Sequence, residues 1–153
     1  MKSRESDQKG NAWALFLATH TVVLERIEAA LTQAQLPPLA WYDVLWELDK
    51  AADGKLRMGD LAERVVLSRS NLTRLADRLQ KARLLRRETC EDDRRGAYCS
   101  ITAAGRHMRE KMWPIYKQQI DLLFAQHVSP EEARVLASAF EKILRASKGT
   151  AIE

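Results

Sequence analysis

The chain of 153 residues is 46% hydrophobic and 30% charged, which fits one globular domain with a real core and is too short for two independent ones. No apolar run approaches a membrane span, and the opening residues MKSRESDQKGN hold no apolar core of a secretion signal, so no membrane partner and a cytoplasmic location are expected. Two cysteines, Cys90 and Cys99, and three scattered histidines make neither a disulfide framework nor a metal site, and no cofactor is expected.

The net charge is +4, unevenly spread. Residues 55–106 hold 13 Lys/Arg against 7 Asp/Glu, a balance of +6, while the remainder holds 12 against 14, a balance of −2. A localised basic excess is better evidence of a polyanionic partner than a globally basic chain.

In chain order, residues 11–35 carry apolar side chains at helical spacing (Trp13, Leu17, Leu24, Ile27, Leu31), ended by Leu36-Pro37-Pro38. A second helix is predicted over 39–51, then a turn at Asp53-Gly54 and a very short strand over 55–57. A helix over 58–65 and a tight turn lead to Ser68, a predicted N-cap. The helix it opens, 69–83, places Leu72, Leu75, Ala76 and Leu79 at i, i+3, i+4 and i+7. Two strands over 84–90 and 97–102 flank the tip Glu91-Asp92-Asp93-Arg94-Arg95-Gly96. A long helix to about residue 126, bent at Pro114, and a last helix opened by Ser129-Pro130-Glu131-Glu132 complete the chain.

Helix, turn, arginine-rich helix and basic hairpin together describe a winged helix-turn-helix, which offers one helix to a DNA major groove. Apart from its apolar stripe, the 69–83 helix carries Arg69, Ser70, Asn71, Thr73, Arg74 and Arg78. Ser68, Arg69, Ser70, Asn71 and Thr73 lie near its N-terminus, where base edges are reached; arginine can pair two-fold with guanine and asparagine with adenine. Arg74 and Arg78 are placed for phosphates. In the hairpin tip, Arg94 and Arg95 suit an electronegative minor groove, with Asp93 directing an arginine by ion pairing. The expected partner is double-stranded DNA.

These residues also carry a resemblance. Asp93 and Arg95, followed after five residues by Ile101-Thr102, match the wing signature of the MarR family of transcriptional regulators, with isoleucine for leucine. The segment LSRSNLTRLADRLQ resembles that family's recognition helix, and the order of helices agrees over residues 11–147. The resemblance implies a mainly α fold with a small β-wing, the winged helix-turn-helix being embedded in a helical dimerisation domain. It implies one MarR-like domain over 1–153, with the DNA-binding region at 39–102 and dimerisation helices at 11–36 and 103–148. It further implies a homodimer on a pseudo-palindromic operator, and a ligand-responsive repressor rather than an enzyme.

Members of the family often respond to small aromatic or phenolic effectors. Trp13, His20, Trp41, Tyr42, Asp43 and Trp46 lie on the two helices that would line such a pocket. The chain also resembles the urate-responsive subgroup, for which Trp13, Asp43 and either Arg74 or Arg86 would be the counterparts. Aromatic residues at helical spacing equally suit a plain core, and both readings stand. Two alternatives remain for the function: a redox-responsive regulator using Cys90 and Cys99, and a winged-helix module that binds protein.

Overall fold

The computed structural model describes residues 2–65, 67–89 and 96–149. They fall into two compact units, residues 1–117 and 118–153, with the division inside a helix. Asp93, Arg94, Arg95 and Cys90 lie outside the described residues.

In the first unit, helix α1 (Lys2–Gln33) begins nine residues before its predicted start. It ends with Gln35 in the left-handed region (φ 58°), Leu36 N donating to Leu31 O and Gln35 N to Thr32 O. Helix α2 (Leu39–Lys50) follows Pro38, which offers no side-chain cap. Glu28 of α1 supplies one instead: its carboxylate accepts from Leu39 N at 3.1 Å, satisfying an orphan amide at the positive end of the helix dipole. Strand β1 (Lys55–Arg57) leads to α3 (Met58–Val65), α4 (Arg69–Lys81), β2 (Leu85–Thr89), β3 (Ala97–Ile101) and α5 (Ala103–Leu123).

The three strands form an antiparallel sheet in the order β1-β3-β2. Its buried side joins one core with α2, α3 and α4, built from Val44, Leu45, Leu48, Leu61, Leu72, Ala76, Leu79, Leu85 and Cys99. Thr102 ties the sheet to α5, as its hydroxyl donates to Arg83 O (2.8 Å) and accepts from Gly105 N (3.0 Å). Gly105 has no room for a side chain, since a Cβ there would stand 2.1 Å from Leu84 O. The backbone therefore approaches at this point as only glycine allows. Helix α5 continues through Pro114 and closes at Leu123, short of the predicted end, with a 3-10 turn at Ala125–His127.

In the second unit, α6 (Pro130–Gly149) starts with the reciprocal capping expected of its sequence. Glu132 N donates to Ser129 Oγ (3.2 Å) and Ser129 N to Glu132 Oε2 (2.9 Å). These bonds to the ionised form hold the Glu132 carboxyl below its usual pKa.

Candidate nucleic-acid interface

The turn before α4 is set by Ser68, whose extended backbone starts the helix and whose hydroxyl accepts from Asn71 N at 3.2 Å. Leu72, Leu75, Ala76 and Leu79 are buried, so rotation of the helix is fixed and its other side is held outward. Ser68, Arg69, Ser70, Asn71, Thr73, Arg74 and Arg78 are all exposed. No acidic residue stands in the first turn, which leaves the positive end of the helix dipole uncompensated. The Arg69 guanidinium lies over Gly59 of α3, where a Cβ would meet it at 3.0 Å. Thr73 Oγ1 donates to Arg69 O (2.8 Å), which spends its proton inside the helix.

After α4, Arg83 takes the left-handed conformation (φ 61°), with Leu84 N donating to Leu79 O and Arg83 N to Gln80 O. Glycine is usual at this position of a helix end. The chain then enters β2, where Arg87 pairs opposite Cys99 of β3. Arg87 Nε donates to Gln80 Oε1 (2.7 Å) and its Nη2 pairs with the Asp77 carboxylate, so β2 is bonded back to α4.

Cys99 is fully buried, with its Sγ donating to Met58 Sδ at 3.0 Å. Burial pushes its pKa up to about 11, against the smaller opposing influence of Arg87. A reactive thiol needs the reverse environment, exposed and electropositive.

The residues expected around an effector are dispersed in this chain. Trp13 is 60% exposed and meets Phe16 of its own helix (6.0 Å); His20 is exposed on α1. Trp41 packs on the central core, and Arg86 is exposed on the outer sheet face opposite Ser100. Tyr42 and Trp46 do come together, with ring centroids 6.3 Å apart, and two residues of α5 join them. Tyr42 stacks near Trp113 (6.0 Å) and meets Tyr116 edge-on (5.1 Å). Arg109 lies 5.2 Å over the Trp46 ring, and its Nε approaches Asp49 Oδ2 at 2.7 Å. Asp49 also pairs with Arg106.

Sequence reasoning did not single out Asp49, Arg106, Arg109 or Tyr116 for this region. The available signal was the i, i+3, i+7, i+10 spacing of Arg106, Arg109, Trp113 and Tyr116, which puts them on one face of α5. Asp43 lies beside this cluster. Burial, then Glu47 and Glu28, raises its pKa to about 6, and its charge in turn helps raise that of Tyr116.

A three-stranded sheet folded onto a helix-turn-helix whose second helix turns a basic face outward defines a winged helix-turn-helix. A model of the MarR family matches residues 34–96. The HTH-type transcriptional regulator YfiV of Bacillus subtilis is 33% identical over 97 residues, a match spanning 61% of this chain but only 58% of that protein. AbsC, a MarR family transcriptional regulator of Streptomyces coelicolor, superposes with a TM-score of 0.86 at 28% identity, covering 94% of this chain and 97% of its own. Sco3205 of the same organism, a MarR family regulator solved in complex with DNA, superposes at 0.85 with 22% identity, covering 92% and 88%. Over the winged helix-turn-helix the chain is thus similar to MarR family transcriptional regulators, and it shares the fold of AbsC and Sco3205.

Proposed function

We propose that this chain is a sequence-specific repressor that binds a pseudo-palindromic operator as a homodimer and is released by a small aromatic or phenolic effector. The observation that carries the DNA reading is the outward, acid-free first turn of α4, where Arg69, Ser70, Asn71 and Arg74 stand exposed over a buried apolar stripe. Such a face supplies both phosphate attraction and base-edge hydrogen bonding. Asp93, Arg94 and Arg95 are assigned to the minor groove on their sequence alone.

The dimer is supported by apolar surface left uncovered in each unit. Trp13, Leu15 and Val22 on α1 are each more than half exposed, and Val135 on α6 is 69% exposed. Surfaces of this kind usually mark an interface. On this reading residues 39–102 read DNA and residues 11–36 and 103–148 join the protomers. Among the described residues no helix is long and apolar enough to cross a membrane.

The effector reading is supported by the Tyr42, Trp46, Trp113 and Tyr116 rings with Arg109 beside them, a set suited to a planar anion. Asp43 already lies beside these rings, whereas Trp13, His20 and Arg86 would reach such a molecule only if the partner protomer or a rearrangement brought them there.

A salt series with a duplex from the neighbouring promoter tests the DNA reading. Affinity should fall steeply with salt and exceed that for random DNA; equal binding to both sequences overturns it. Arg74→Ala should weaken binding by about 1–3 kcal/mol without lowering the melting temperature. If Arg74→Ala leaves DNA affinity unchanged, a protein-binding role becomes the better account. A thermal-shift screen of aromatic acids tests the effector, and absence of stabilisation at saturating concentrations removes it.

A further inference from the structure

Helix α4 holds four cations, Arg69, Arg74, Arg78 and Lys81, and a single acid, Asp77. An acid on a helix that approaches phosphate weakens binding unless something else engages it. The sheet supplies that partner. Residues directly opposite in antiparallel strands share a face, so Arg57, Tyr98 and Glu88 lie on one side, and Leu56, Cys99 and Arg87 on the other. The second side is the buried one: Cys99 is fully buried and Leu56 packs on the core. Arg87 is thus an arginine on the inward face of the wing sheet, at its partly exposed edge, where its side chain is 29% accessible and that of Asp77 46%. It has two hydrogen-bonded partners, Asp77 and Gln80, one turn apart on α4.

Resting on the DNA-binding reading above, we propose that Arg87 is a positioning residue, which with Asp77 and Gln80 clamps the wing to the recognition helix. Between α4 and β2 there are only Ala82, Arg83 and Leu84, so the turn fixes where β2 starts. It does not fix the angle at which the β2–β3 hairpin leaves the helix. Core packing of Leu85 and Cys99 sets that angle coarsely, and the planar guanidinium, held at two points, tightens it as a flexible lysine could not. A dimer that must seat α4 and the wing together gains affinity from having this geometry formed before DNA arrives.

The discriminating variant is Asp77→Asn. By charge alone it brings the protein closer to DNA phosphates and should tighten binding. The clamp predicts the opposite, a loss of about three- to tenfold, with Arg87→Ala losing a similar amount and the double variant little more than either. Arg87→Lys, which keeps the charge but spans one acceptor, should fall between wild type and Arg87→Ala. The slope of affinity against salt should not change in Arg87→Ala, whereas loss of a phosphate contact lowers it by about one. Tighter or equal binding by Asp77→Asn, or a reduced slope in Arg87→Ala, overturns the proposal. Amide exchange on the DNA-free protein separates the clamp from the DNA reading. Asp77→Asn should speed exchange across β2 and β3 while the α4 amides and the melting temperature hold. Unchanged exchange overturns the clamp whatever the DNA result, and a wild type that ignores DNA overturns only the reading on which it rests.

Discussion

Helix α4 buries Leu72, Leu75, Ala76 and Leu79 and turns its polar side outward, whereas α6 buries none of its residues and leaves Val135, Phe140, Ile143 and Leu144 exposed. Both sequences show apolar residues at helical spacing, so periodicity alone does not separate them. The difference lies in what covers the stripe. In α4 the chain itself covers it, and the solvent side is free to bind something polar. In α6 the apolar side is what remains available, and burying it gains about 25 cal/mol for each Å² removed from water. The two helices therefore point to partners of opposite chemistry.

The strongest way to break this comparison is to charge the α6 stripe. Phe140→Asp with Ile143→Asp should convert a dimer to monomer at concentrations about 100-fold above the wild-type dissociation constant, read by sedimentation. If the association state does not move, the uncovered face of α6 is not the interface. Leu79→Ala should act on α4 from the inside, costing about 2–5 kcal/mol in denaturant unfolding through the cavity it leaves. The matching change Val135→Ala should cost the isolated unit almost nothing, since that side chain is largely in water.

Asp43 sharpens the contrast from a third position, α2, where a carboxyl is half-buried beside two other acids. Its pKa is raised to about 6 from the 3.8 of a free side chain. A raised carboxyl supports folding below pH ~4, where it is protonated in both states, and that support is lost as pH climbs through about 6. Asp43→Asn should therefore stabilise the protein by about 1–2 kcal/mol at pH 7.5, with the gain vanishing near pH 4. A gain that is flat across that window contradicts the assigned environment. A small gain is expected at the end of α4: Arg83→Gly relieves a left-handed arginine and should add about 0.5–1 kcal/mol in the same unfolding measurement.

How much of this was legible beforehand differs from place to place. The Ser68 and Ser129 caps and the α4 stripe appear as expected, because each is decided by residues within two helical turns of one another; the short β1 strand also appears, completed by its pairing with β3. The start of α1 was missed, since polar residues 2–10 give no apolar period to read. Placing Cys90 and Cys99 on opposite strands of one hairpin told nothing of burial; Cys99 sits in the core against Met58. The effector residues fared similarly. Trp41 and Trp46 are five residues apart on one helix, and one packs into the core while the other is 39% exposed beside Arg109.

By itself, the sequence determined the succession of elements, their caps, the separation of faces on α4 and the family signature in the wing. Those depend on local hydrogen bonds and on a repeat of 3.6 or 2 residues, both written in neighbouring positions. Only the tertiary structure decided that Asp49 would hold Arg106 and Arg109 across 57 and 60 positions, that Asp77 would face Arg87, and that three acids would surround one another at Asp43. Charges far apart in the chain meet only after a shared core fixes the angle between the elements that carry them. No local pattern records that angle.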